Sequence, residues 1–192
     1  IYLEEPDHEI TGQRYLYDET LGWKNIPSWE SATFDRKIAI NSKGLRDREY
    51  PYEKPAGVFR ILVLGDSFVW GYGVSNEETF TERLEQALTA EGAAIEVLNA
   101  GVSGWGTDQQ LLYLESEGFK YSPYLVVLAF FLYNDPENIR NSRQYGLQKP
   151  IFVNTNLQLA NVPVPEPGAP TEPLTFKGNP LKLAVPLIDR MA

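Results

Sequence analysis

The chain has 192 residues, 43% of them hydrophobic, with 17 Lys and Arg against 26 Asp and Glu for a net charge of −9. That length suits one domain with a real core, and an acidic chain without a basic run excludes nucleic acid or an anionic membrane surface as expected partners. With no cysteine and one histidine, His8, disulfides, thiolate chemistry and a His-rich metal site are excluded as well.

Residues 1–58 show no clear periodicity and are rich in turn formers (Gly12, Gly22, Pro27, Gly44, Pro51, Pro55). They read as an N-terminal wrapping segment, held by Tyr15, Tyr17, Leu21, Trp23 and Trp29 rather than by regular elements. The segment begins at Ile1 with no visible signal peptide, so an upstream signal or anchor is expected to have been removed.

Residues 59–149 carry the main pattern. Residues 59–64 predict a buried strand stopped by Gly65. Ser75 and Glu78 form a capping box that opens a helix, with Phe80, Leu84, Ala87 and Leu88 as its apolar face and Gly92 as its stop. A second strand is expected over 94–98. A second capping box, Thr107 with Gln110, opens a helix through Leu111 and Leu114 to Gly118. Residues 124–132 predict a third strand, apolar throughout, as expected when both sheet faces are covered. The longest apolar run, residues 125–132, is far below the ~20 residues that span a bilayer. This β-α-β-α-β order predicts a doubly wound parallel sheet in a three-layer α/β/α domain.

Residues 150–192 differ, since eight of the fourteen prolines fall between Pro150 and Pro186. Residues 151–153 and 157–159 flank Asn154, Thr155 and Asn156 as a hairpin, and 162–180 reads as Pro-rich, extended or disordered. Three strands are few for an open α/β sheet. The domain is therefore expected to be incomplete at its C-terminus, with an uncovered sheet edge open to self-association.

In an open parallel sheet, ligands bind beyond the carboxyl ends of the strands. Here those ends carry Gly65-Asp66-Ser67, then Asn99-Ala100-Gly101, then Asn134-Asp135. Ser75 already serves as a helix cap, and Asp135 ahead of Pro136 is the better cap of its pair, which leaves Ser67 and Asn134 without a structural duty. A serine nucleophile needs an exposed hydroxyl on a tight turn, and a tetrahedral intermediate needs preorganised donors. Ser67 can supply the first, and the amides of Ser67, Gly101 and Asn134 the second.

These three blocks resemble those of the GDSL/SGNH hydrolases. Leu64 through Phe68 matches the serine block, Asn99-Ala100-Gly101 the glycine block and Asn134-Asp135 the asparagine block, although Leu132 stands where the third block usually has glycine. The stretch Asn41-Ser42-Lys43-Gly44-Leu45-Arg46-Asp47 resembles one bacterial subgroup, often membrane-anchored. The resemblance implies a flavodoxin-like, SGNH-type fold, Ser67, Gly101 and Asn134 as catalytic residues, no cofactor, and an ester of a small molecule or carbohydrate as substrate. It also implies an extracytoplasmic location. The family's Asp-x-x-His block is absent; Asp189 has the right offset, but Ala192 stands in place of the histidine. That block is expected beyond residue 192.

Other features are discounted. His8 lies among Glu4, Glu5, Asp7 and Glu9 and reads as a solvated surface residue. The glycines from Gly101 to Gly106 have the wrong spacing and place for a dinucleotide loop, and Glu77 and Glu78 read as first-turn helix residues. Trp70, Tyr72, Trp105 and Tyr133 adjoin the blocks and either line the site or pack its loops. The competing functions are a non-catalytic binding module of the same fold and a flavodoxin-like nucleotide or flavin binder.

Overall fold

The computed structural model describes residues 15–191, so His8 lies outside the described residues. The wrapping segment is more regular than expected, because it forms two hairpins: β1 (Tyr15–Asp18) with β2 (Gly22–Asn25), and β3 (Trp29–Thr33) with β4 (Arg36–Ile40). Strands of four or five residues are too short to register as periodicity. The first turn is closed by the Asp18 carboxylate, which accepts the amides of Thr20 and Leu21 at 2.9 Å each. The segment still wraps the domain. Trp23 is buried, donates its indole N–H to the Ser103 carbonyl at 3.1 Å, and accepts the Trp105 indole N–H on its own carbonyl at 2.8 Å.

The centre is a three-stranded parallel sheet in the order β6-β5-β7, formed by β5 (Phe59–Gly65), β6 (Ile95–Gly101) and β7 (Leu125–Leu128). Between β5 and β6 lie the short helix α1 (Ser67–Trp70), a 3-10 turn and helix α2 (Phe80–Ala90); α3 (Thr107–Ser116) connects β6 to β7, and α4 (Asp135–Asn138) follows β7. The chain is thus mixed α/β, with helices flanking a parallel sheet. In register, Leu62 faces Leu98 on one side and Val126 on the other, and Gly65 lies beside Gly101.

Three local expectations change. The third strand ends at Leu128 instead of running to residue 132, and Leu125 is 45% exposed, so β7 is an edge strand and not one covered on both faces. Ser75 and Glu78 do form a capping box, but it opens only the 3-10 turn; Thr79 caps α2. At α3 the N-cap is Gly106, whose amide is accepted by Gln109 Oε1 at 3.2 Å, one residue earlier than the Thr107–Gln110 reading.

Beyond α4 come two small hairpins, β8 (Arg143–Gln144) with β9 (Leu147–Gln148) and β10 (Ile151–Phe152) with β11 (Leu159–Ala160); the second is the hairpin expected over 151–159. Most of residues 162–179 is irregular, as anticipated for its prolines. Helix α5 (Pro180–Met191) was not expected. Leu183, Leu187 and Met191 repeat every four residues and are buried on one face, packed toward α3, while Pro186 sits in the helix and masks the signal. No helix among the described residues is long and apolar enough to cross a membrane.

Alternate residues of the sheet strands enter two cores. Leu62, Leu64, Leu98 and Ala100 join Leu111, Leu114, Leu183 and Leu187 in the larger one, while Ile61, Val63 and Val97 join Val69 in a smaller one. At the first turn of α3, the fully buried Lys149 ammonium pairs with the fully buried Asp108 carboxylate and also donates to the Pro150 carbonyl at 3.0 Å.

Candidate active site

Strand β5 ends at Gly65, where there is no room for a side chain: a Cβ there would overlap Val69 of α1. The chain then turns at once into α1. Asp66 is its N-cap, fully buried, and its carboxylate accepts the Phe68 amide at 2.9 Å. Gly71 ends the helix in the left-handed conformation, φ 87°. Ser67 is the first residue of the helix and half-buried, and its hydroxyl makes no hydrogen bond within the described residues.

Asn134 reaches the same turn from β7. Its side-chain amide donates to the second oxygen of Asp66 at 3.0 Å. The capping argument needs one correction: Asn134, not Asp135, occupies the N-cap position of α4. Asn134 makes no side-chain cap bond, but its bond to Asp66 gives it a structural duty that the sequence did not show. Asp135, one residue later, instead folds back to accept the Phe131 amide at 2.7 Å. Burial pushes the Asp135 carboxyl up to about 7, with Asp66 and Asp108 adding repulsion and the Phe131 amide opposing it.

Gly101 is brought to the same sheet edge, beside Gly65. Its amide, however, donates to Asn99 Oδ1 at 3.0 Å, and a Cβ on it would strike the backbone of Val69 and Trp70 in α1. The glycine is therefore required by close packing of α1 on β6. To face an oxyanion, its N–H must exchange the Asn99 bond. Asn99 is itself a clamp, since its amide donates to the Val69 carbonyl at 2.8 Å and to Thr81 Oγ1 at 3.2 Å.

Sequence reasoning missed Asp66, Asn99 and Arg46 as the residues that hold this arrangement. The 41–47 stretch also has a mechanical role. Asn41 Oδ1 accepts the amides of Lys43 (2.9 Å) and Leu45 (3.0 Å), shaping a loop that sends Arg46 inward. The buried Arg46 guanidinium donates to the carbonyls of Trp70 (2.6 Å), Gly71 and Val74 and lies 4.4 Å from the Trp70 ring centroid. It fixes the loop that leaves α1. Asp47 Oδ2 accepts the Asn99 amide at 2.9 Å, so the same stretch also braces β6.

Of the four aromatics near the blocks, Trp70 and Trp105 are buried packing residues, Tyr72 is half-buried, and Tyr133 is 87% exposed. A cavity of about 350 Å³ reaches Ala100 and Val102 on either side of Gly101 and is lined also by Lys24, Lys43, Trp105 and Glu117, but Ser67, Gly101 and Asn134 are not among its lining residues. No protein-family model and no curated protein matches the chain.

Proposed function

We propose that this chain is a serine-dependent O-acyl ester hydrolase or acyltransferase of the GDSL/SGNH kind, built on a three-layer α/β/α domain of the flavodoxin-like type. The observation that carries the reading is the Ser67 hydroxyl: unengaged, half-buried, at the carboxyl end of the central strand, in a turn tied to Asn134 through Asp66. Ser67 Oγ attacks the ester carbonyl, a base takes its proton, and the oxyanion is met by the amides of Ser67 and Asn134, with Gly101 joining if it leaves Asn99. Collapse expels the alcohol, which recovers the proton. Water, or a sugar hydroxyl in the transferase variant, then takes the acyl group from Ser67.

A second reading, a binding module of the same fold, is favoured by one observation: no histidine lies among the described residues. Fluorophosphonate treatment of the protein separates the two. Modification confined to Ser67 and abolished in Ser67→Ala, with the Tm unchanged, supports the enzyme; an unmodified, folded protein supports the module.

A further inference from the structure

Two uncharged stretches meet at Ser67. Residues 67–76 and 125–134 contain no Asp, Glu, Lys or Arg, in a chain that is 22% charged overall. At random, twenty such residues would carry about four charges; β7 and the buried Val69, Trp70 and Gly71 account for part of that, and the exposed residues among them call for a reason.

The side chains on that rim are large, apolar and outward. Phe68, directly after the serine, is 64% exposed; Leu132 is 75% exposed and Tyr133 87%. The rings form a row: Phe68 and Phe131 have centroids 4.4 Å apart, and Phe131 and Tyr133 are 6.0 Å apart. The row starts one residue from Ser67 and ends one residue from Asn134, and the Asp66–Asn134 bond holds its two ends together. Its position is therefore fixed relative to the candidate nucleophile. Solvent exposure of such residues is unfavourable unless something covers them in use.

Resting on the ester reading above, we infer that this row receives the acyl chain of the substrate, so that the site acts on esters of medium-length aliphatic acids in preference to acetates. A carbonyl held between Ser67 and Asn134 must send one substituent along the surface next to it, and that surface is hydrocarbon. A sugar ring would need polar partners around the aromatic face, whereas the residue between Phe131 and Tyr133 is Leu132, itself 75% exposed. A phosphorylated group would find no Lys or Arg within residues 67–76 or 125–134.

Full burial of a methylene contributes roughly a fourfold factor. A row that covers the chain from one side gives about half that free energy, or about twofold per methylene. The rate of Ser67 modification by alkyl fluorophosphonates, followed by mass spectrometry, should then rise about 60-fold from ethyl to octyl. In Phe68→Ser/Tyr133→Ser the rise should shrink to less than about fivefold, with an unchanged Tm. A flat dependence in the unmutated protein, with Ser67 still modified, overturns the acyl-chain inference and leaves the ester reading standing. If no probe modifies Ser67, the ester reading fails, and the row is judged by NMR titration with decanoate and butyrate below micellar concentrations. Decanoate shifting the amides of Phe68 and Tyr133 at concentrations at least tenfold lower than butyrate upholds it; equal or absent shifts overturn it. Binding to phosphatidylcholine vesicles without any chain-length dependence for soluble probes would assign the row to a membrane surface and overturn it as well.

Discussion

The two faces of the parallel sheet come from alternate residues of the same strands, yet they meet different surroundings. On one face, Leu62, Leu64, Leu98 and Ala100 are packed by α3, α5, Trp23, Trp105 and the C-terminal hairpins. On the other, Ile61, Val63 and Val97 have Val69 of α1 as their buried partner, while Phe80 and Leu84 of α2 remain exposed. Stability is therefore concentrated on one side. The other side is held mainly by polar clamps, such as Val97 donating its amide to Glu85 at 2.7 Å and Asn99 bonding Val69 and Thr81. A face with few apolar contacts and many specific bonds positions a turn; a face with a deep core resists unfolding.

The sharpest way to break that comparison is to remove Asp108 from the packed side. Asp108→Ala leaves the Lys149 ammonium buried without its partner, and urea denaturation should show a loss of about 3–5 kcal/mol. Pairing it with Lys149→Met should recover most of that loss. Next in size is the contrast between adjacent strand residues. Leu62→Ala should cost about 3–5 kcal/mol and Ile61→Ala about 2, because the thin side can collapse into the smaller cavity. Equal losses would mean that the two faces carry stability alike.

A smaller effect is set by pH. With the Asp135 carboxyl pushed up to about 7, the folded chain holds this proton between about pH 4 and pH 7 while the unfolded chain has released it. The stability it confers is full below pH 4 and lost as the pH rises through 7. The observed decline should be on the order of 1–2 kcal/mol. Asp135→Asn should flatten that decline, read from urea midpoints between pH 5 and 8. The smallest change is expected on α2, where Phe80→Ser should alter stability by no more than about 0.5 kcal/mol.

The central strand and the two crossover helices were legible, because each rests on local grammar such as an apolar run or a stop glycine; the two capping boxes were misplaced, and the face expected to bury α2 is largely exposed at Phe80, Leu84 and Ala87. The limits of the reading are physical as well. Four-residue strands such as β1 and β2 hold too few alternations to announce themselves. The Pro180 and Pro186 prolines hid the four-residue repeat of α5. The end of β7 could not be placed, since Ala129 to Leu132 are as apolar as the strand itself and only the sheet edge decides where pairing stops. At the site, the residue types were readable but not their partners. Nothing local says that Gly101 donates to Asn99, or that Asp66 joins Ser67's turn to Asn134 across 68 residues.

The pairing of Trp23 with Ser103 has a consequence during synthesis. The two are 80 residues apart. At roughly 5–20 residues per second, Trp23 leaves the peptidyl-transferase centre roughly 4–16 s before its partner is made. For that interval the first hairpin has neither α3 nor the C-terminal hairpins to bury Tyr15, Leu21 and Trp23. The nascent chain therefore makes Tyr15, Leu21 and Trp23 early and covers them late.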